Sequence, residues 1–245
     1  MVLPIGDENP PGRGFAWVTV GLILVNVFVF VVLQLGHDAF TYGYSTIPKE
    51  IVTGMDIVKP VTTTIGGEKV TIPEAPGPSP IYLTLLWSMF MHGGWLHLGG
   101  NMLFLFIFGD NVEWAFGRVM YLLFYVGAGI VASFAQIAVD PNSVIPNLGA
   151  SGAISGVLGA YIVLFPQNRV RVLAYYAVIS VPAIVAIGLW ALLQFFSGFA
   201  SIAPGTQATE GVAYFAHIGG FIAGVLVALL MRGIGLMRAP RSFAY

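Results

Sequence analysis

Apolar stretches approaching 20 residues recur along nearly the whole chain, and no other feature constrains its fold so strongly. A helix needs about 20 apolar residues to cross a hydrocarbon core roughly 30 Å thick. Six spans are predicted: about Phe15–Leu35, Trp95–Val112 behind an apolar lead-in at Ile81–Met91, Val119–Val139, Ser151–Phe165, Val172–Phe196 with Pro182 as a kink, and Gly211–Met231. The fold class this implies is all-α, a polytopic membrane protein built as a bundle of six transmembrane helices. Composition agrees, since 57% of the 245 residues are hydrophobic and only 9% are charged, against roughly 25% charged in a soluble domain. The first apolar stretch is too long for a cleavable signal peptide, so it is expected to be retained.

The chain then divides into a polar, Pro/Gly-rich tail (1–14), a six-helix domain (15–231) and a second short tail (232–245). The one long polar excursion is the insertion 37–80, whose Thr/Val/Ile alternation and repeated Gly and Pro predict an extended or hairpin-like loop. Short loops rich in Lys and Arg stay on the cytoplasmic side. With the N-terminus inside, Arg13, Arg118, Arg169, Arg171, Arg232, Arg238 and Arg241 all fall inside, and Lys49, Lys59 and Lys69 lie in the long, less constrained external loop. Both termini are therefore expected in the cytoplasm, with a prokaryotic cell membrane as the setting. The net charge of −1 and the absence of any basic stripe give no reason to expect a nucleic-acid partner. With no cysteine, disulfides, thiolate metal sites and cysteine nucleophiles are excluded.

The fourth span is short: about 15 residues at roughly 1.5 Å each cover some 22 Å of the hydrocarbon core. Its N-terminus must start below the external surface, so the preceding loop, Asp140–Ala150, is expected to dip into the membrane beside a wet cavity. Three polar signals converge at that depth: His97 with Asn101 in the second span, Ser151 opening the fourth, and His217 early in the sixth. Polar groups inside a bilayer are expensive and point to function.

Ser151 stands in Asn147-Leu148-Gly149-Ala150-Ser151-Gly152. Free N–H groups at a helix start would stabilise an oxyanion beside its oxygen, although an isolated serine there is more often a plain cap. His217 would supply the base, with an unperturbed pKa of about 6.5; hydrogen bonding to a backbone carbonyl is its other reading. Gly220 and Gly224 share a helical face with His217, and Gly152, Gly156 and Gly159 form a matching face on the fourth span. Small residues of this kind let two membrane helices approach closely. His97 and Asn101, four apart, lie on one helical face and could donate to the oxyanion, or could bond each other and a neighbouring helix. His92 is assigned to loop structure. No Glu follows a histidine as a zinc protease would require, and Asp110 and Glu113 near Arg118 are read as a helix-end polar cluster.

These motifs resemble the rhomboid family of intramembrane serine proteases. His92-Gly93-Gly94-Trp95-Leu96-His97-Leu98-Gly99-Gly100-Asn101 is similar to the family's H-x-x-x-N region, Gly149-Ala150-Ser151-Gly152 to its G-x-S-G, and Ala216-His217-Ile218-Gly219-Gly220 with Gly224 to its A-H-x-x-G-x-x-x-G. The resemblance implies a Ser151–His217 dyad, an oxyanion hole from His97, Asn101 and backbone N–H groups near Ser151, and structural roles for Gly149, Gly152, Gly220 and Gly224. It implies no metal or organic cofactor, and as partners the lipid bilayer and proteins whose transmembrane segments are cut near the external face. Two departures stand out: the family's Trp-Arg pair is absent from the first external loop, and Ser155 stands where some members place an aromatic against the histidine. The competing expectation is an inactive relative that binds client helices or directs their trafficking; a transporter is disfavoured by the lack of an internal repeat.

Overall fold

The computed structural model describes residues 2–9, 12, 14–65, 67–202 and 212–237; Arg13, Gly211, Arg238 and Arg241 fall outside the described residues. In chain order the elements are strand β1 (Val2–Asp7), helix α1 (Trp17–Phe28) running on into a π-helical stretch (Val29–Gln34), short helices α2 (Asp38–Tyr44) and α3 (Pro48–Thr53), and strands β2 (Val61–Ile65) and β3 (Glu68–Ile72). Then come α4 (Thr84–Trp87), α5 (Trp95–Phe116), α6 (Arg118–Val139), α7 (Ser151–Leu164), strands β4 (Arg169–Ala174) and β5 (Ala177–Pro182), α8 (Ala183–Ser201) and α9 (Tyr214–Gly233).

Four helical stretches among the described residues are long and apolar enough to cross a membrane: Trp17–Gln34, α6, α8 and α9. Six spans were predicted. The two that do not qualify are α5, whose 22 residues include His97, Asn101, Asp110, Asn111 and Glu113, and α7, which has only 14 residues. At about 1.5 Å per residue α7 is roughly 21 Å long. It is the innermost helix, with every residue from Gly152 to Tyr161 buried, and it packs against α5, α6 and α9.

The all-α expectation needs correcting. β1, β4 and β5 form an antiparallel sheet, and β2 and β3 a separate hairpin paired from Val61↔Ile72 to Ile65↔Glu68. The hairpin lies within the insertion where alternation predicted one. The β4–β5 hairpin was not foreseen: Val172–Phe196 was read as one helix kinked at Pro182, but the chain is extended up to Pro182 and helical only after it. Physically, Val170 and Val172 are buried while Arg169 and Arg171 are exposed, which is the two-residue period of a strand. Proline, lacking an N–H, suits the boundary of α8 better than its interior. Residues expected as a polar tail supply β1, paired with β4 from Val2↔Ala174 to Asp7↔Val170.

Buried polar groups join the elements. The Glu113 carboxylate of α5 accepts from the N–H groups of Val18 and Thr19 (3.1 and 2.8 Å) and from the Thr19 hydroxyl (2.8 Å). It thus caps α1 from another helix, satisfying N–H groups that a helix start leaves open. Under the sheet, Asn111 of α5 and Tyr161 of α7 donate to the Asp7 carboxylate at 2.7 and 2.6 Å, and Asn168 donates to the Glu8 carbonyl at 3.0 Å. The C-terminal end of α7 is thereby tied to β1.

Two glycine faces set the α7–α9 contact. A Cβ at Gly220 would run into the Gly152 carbonyl, one at Gly224 into the Gly156 carbonyl, and one at Gly159 into the Phe221 carbonyl. Backbones this close leave no room for side chains between them. We expect Gly224→Ala to cost about 1–3 kcal/mol of stability, a typical penalty for overpacking. Gly188→Ala on α8, where nothing lies within 4 Å, should be neutral or stabilising by up to about 1 kcal/mol. Thermal unfolding in detergent distinguishes the two.

The insertion carries its own titration. Glu50 and Glu74 are both buried. Burial raises each to about 7 from 4.5, with the Asp56 charge adding to Glu50 and the Glu50 and Asp56 charges adding to Glu74. The folded insertion therefore holds protons that the unfolded chain releases near 4.5. Its stability is greatest below that pH and falls as pH rises towards about 7. Glu74→Gln, which mimics the protonated acid, should flatten this slope and raise the melting temperature at about pH 8.

Candidate active site

The site forms where α7 begins. Ser151 is the first residue of α7, so the N–H groups of its opening turn have no carbonyl one turn back to bond. The loop before it is held from two sides. Thr46 and Asn147 exchange backbone hydrogen bonds at 3.0 and 2.8 Å, and the Gly149 N–H donates to the Ser88 carbonyl at 2.8 Å. Lys49 N–H also donates to the Ser143 carbonyl at 3.1 Å, so the insertion is part of the site's frame.

His217 lies in the first turn of α9, and the glycine contact carries it onto Ser151. Its Nε2 is 2.8 Å from the Ser151 hydroxyl. Its Nδ1 is 2.7 Å from the side-chain oxygen of Gln194 on α8. An amide oxygen only accepts, so this arrangement suits the tautomer with the proton on Nδ1 and a lone pair on Nε2 facing the serine. The rings of Trp190 and Tyr214 flank the imidazole at 6.2 and 6.5 Å between centroids.

His97, near the start of α5, completes the constellation. Its Nδ1 accepts the Gly93 N–H at 3.2 Å, which places its proton on Nε2. A Cβ at Gly149 would stand 3.0 Å from that Nε2 and 3.4 Å from the Ser151 hydroxyl oxygen. The missing side chain thus leaves a vacant position between a donor and the serine oxygen. Gly149 also has φ +137°, a conformation that favours glycine. Asn101 is buried one turn further on, its amide donating to the His97 carbonyl at 3.0 Å.

The four polar residues picked out in the sequence thus occupy one region, three of them around a single point and Asn101 turned onto its own helix. Gly152, Gly220 and Gly224 lie in the helix contact beneath, and Gly149 in the wall. A small cleft of about 40 Å³ borders Ser151, lined partly by Gly129, Ala132, Gln136, Ala153 and Ala216. Ser155 donates to the Ser151 carbonyl at 2.6 Å and stays within α7. Sequence reasoning missed Gln194. Its signal was available, since Gln194 is the one amide in the apolar run of α8. It also missed Gln136, whose side-chain oxygen accepts the Ala216 N–H at 3.3 Å and so steadies the start of α9.

A family model for the Rhomboid domain matches residues 81–234, more than half of the chain. The chain belongs to the rhomboid family. It is 34% identical over 155 residues to Rhomboid protease GluP of Bacillus subtilis, covering 63% of this chain and 26% of that protein. It is 33% identical over 153 residues to the mitochondrial Rhomboid protein 1 of Saccharomyces cerevisiae, covering 59% of this chain and 40% of that one. RHOMBOID-like protein 7 of Arabidopsis thaliana is 24% identical over 237 residues, 92% of this chain and 69% of the relative. The chain therefore spans less than half the length of the first two relatives. The family match begins after the insertion, so α1, α2, α3 and the β2–β3 hairpin lie outside it. Family membership and the apolar helices make the chain an integral membrane protein.

Gly149→Ala would both strain the backbone and fill the space between His97 and Ser151. We expect it to slow modification of Ser151 by a fluorophosphonate probe at least about tenfold, since losing one oxyanion donor in other hydrolases costs roughly 10²–10³ in rate. The measurement is labelling rate, with a thermal melt as the control for folding.

Proposed function

We propose that this rhomboid-family protein is an intramembrane serine endopeptidase that cuts transmembrane segments of other proteins. The observation that carries the reading is the 2.8 Å hydrogen bond from the Ser151 hydroxyl to His217 Nε2, made at a helix start beside a small cleft. Relatives named as proteases support it.

In this reading Ser151 Oγ attacks the scissile carbonyl carbon while its proton passes to His217 Nε2. The oxygen that gains charge occupies the space vacated by Gly149. His97 Nε2–H and the first N–H groups of α7 stabilise it there, and Asn101 joins them once its amide leaves the His97 carbonyl. Collapse breaks the C–N bond, and the departing amine takes the proton from Nε2. Water then attacks the acyl-serine as its proton passes to His217; the acyl C–O bond breaks, His217 returns the proton to Ser151 Oγ, and the new carboxylic acid leaves. No residue in this sequence of steps calls for a metal or an organic cofactor.

The small cleft-lining residues Gly129, Ala132, Ala153 and Ala216 suit a narrow substrate strand with small side chains at the cut. A substrate helix must unwind to reach Ser151, because its own hydrogen bonds shield the peptide bond. We further propose six membrane crossings, with α5 and α7 as the polar and the short span. Arg118 opens α6, Arg169 and Arg171 lie in β4 and Arg232 stands in the last turn of α9, which fits a cytoplasmic sheet with both termini on that side and an active site opening outward. A prokaryotic cell membrane and substrates embedded in the same bilayer complete the reading.

The test is cleavage of a panel of transmembrane segments by the reconstituted protein. Ser151→Ala and His217→Ala are each expected to reduce kcat by at least about 10³-fold. Cleavage by Ser151→Ala at the wild-type rate would remove the proposed nucleophile. A wild-type protein that neither cuts any segment nor takes up a fluorophosphonate on Ser151 would instead be a helix-binding relative.

A further inference from the structure

We propose that Gln194 on α8 is a positioning residue of this site, doing with a neutral amide what a buried carboxylate does in a Ser-His-Asp triad. The proposal rests on the serine-protease reading above.

Three observations carry it. First, the Gln194 side-chain oxygen lies 2.7 Å from His217 Nδ1 while Nε2 lies 2.8 Å from the Ser151 hydroxyl, so the three groups form one chain of hydrogen bonds. Second, imidazole has two neutral tautomers, and only the one protonated at Nδ1 can accept the serine proton at Nε2. An acceptor at Nδ1 selects that tautomer; a bare apolar neighbour selects neither. Third, among the described residues no carboxylate takes part in this chain of bonds, and Ser155, where an aromatic could have pressed on the ring, is bonded inside α7. Two of the groups around the ring come from α8, Gln194 and Trp190 one turn apart, and the ring of Tyr214 on α9 is a third.

The source of this bond matters. Only 17% of α8 is buried, against 22–33% for the other three long apolar stretches. Its outer face, Leu189, Leu192, Leu193, Phe196 and others, is exposed within the protein. The tautomer of the base is thus held by the helix most weakly embedded in the bundle. Keeping α8 seated against α9 is part of keeping His217 competent.

An amide differs from a carboxylate in two ways that set the size of the effect. It adds no negative charge to stabilise the imidazolium formed during catalysis, so its loss should cost less than the roughly 10⁴-fold fall seen when a triad carboxylate is made an amide. It can also flip, presenting NH₂ to Nδ1 and forcing the wrong tautomer.

The experiment uses the full-length protein in detergent or liposomes with a cleavable transmembrane segment. Gln194→Leu, close in shape but without an acceptor, should lower kcat about 10- to 100-fold while KM stays within about twofold. Gln194→Glu, which restores an acceptor at the same reach, should recover most of that loss. Imidazole ¹⁵N spectra, with the His217 signals assigned by their disappearance in His217→Ala, should show the proton on Nδ1 in wild type and a mixture of tautomers in Gln194→Leu. Should Gln194→Leu fail to fold, Gln194→Met takes its place, since methionine adapts to irregular packing. A wild-type kcat in the leucine or methionine variant overturns the proposal, as does a wild-type protein with the proton on Nε2. Either result leaves the protease reading intact, because it requires a wild-type enzyme that cuts and is labelled at Ser151. Absence of cleavage and labelling in the wild type would defeat that reading and this one together.

Discussion

The close contact of α7 with α9 is the constraint on which the rest depends. Carbonyls of Gly152 and Gly156 occupy the positions that side chains at Gly220 and Gly224 would need. Lipid tails are as apolar as leucine, so apolar burial gives two membrane helices little reason to associate; close packing supplies that reason. The same spacing that removes side chains from the seam places His217, one turn before Gly220, against Ser151 at the head of α7. Packing and site geometry are one arrangement here.

A helix as short as α7 needs something at each end. At its C-terminal end Tyr161 and Asn111 bind the Asp7 carboxylate of β1, and Asn168 binds the Glu8 carbonyl. At its N-terminal end the loop before Ser151 is pinned by Thr46 and Ser88. Polar groups that would be costly in an apolar bundle are thus spent as ties between elements. Glu113 follows the same logic: expected as part of an end cluster near Arg118, it serves as a cap for α1.

The α7–α8 connection shows where reasoning from apolar content fails. Val172–Phe196 is apolar apart from Ser180 and Gln194, and hydropathy does not separate a buried strand from a helix. The alternation Arg169-Val170-Arg171-Val172 did carry the distinction, in only a few residues. What turns it into a strand is its neighbour: β4 needs β1, some 165 residues away in the chain, to satisfy its backbone groups. The insertion was easier, because β2 and β3 are only two residues apart in the chain and pair with each other, so the alternation and the partner sit in the same window.

The sequence by itself determined the membrane character, the positions of most helices and the glycine faces, and it singled out Ser151, His217 and His97 as candidates, because each rests on composition or on spacing within one element. Tertiary structure alone decided that His217 Nε2 meets Ser151 while Nδ1 meets Gln194, that Asn101 turns onto its own helix, and that residues 169–182 form strands beside β1. Those outcomes depend on distances between elements far apart in the chain, and local spacing contains no measure of them.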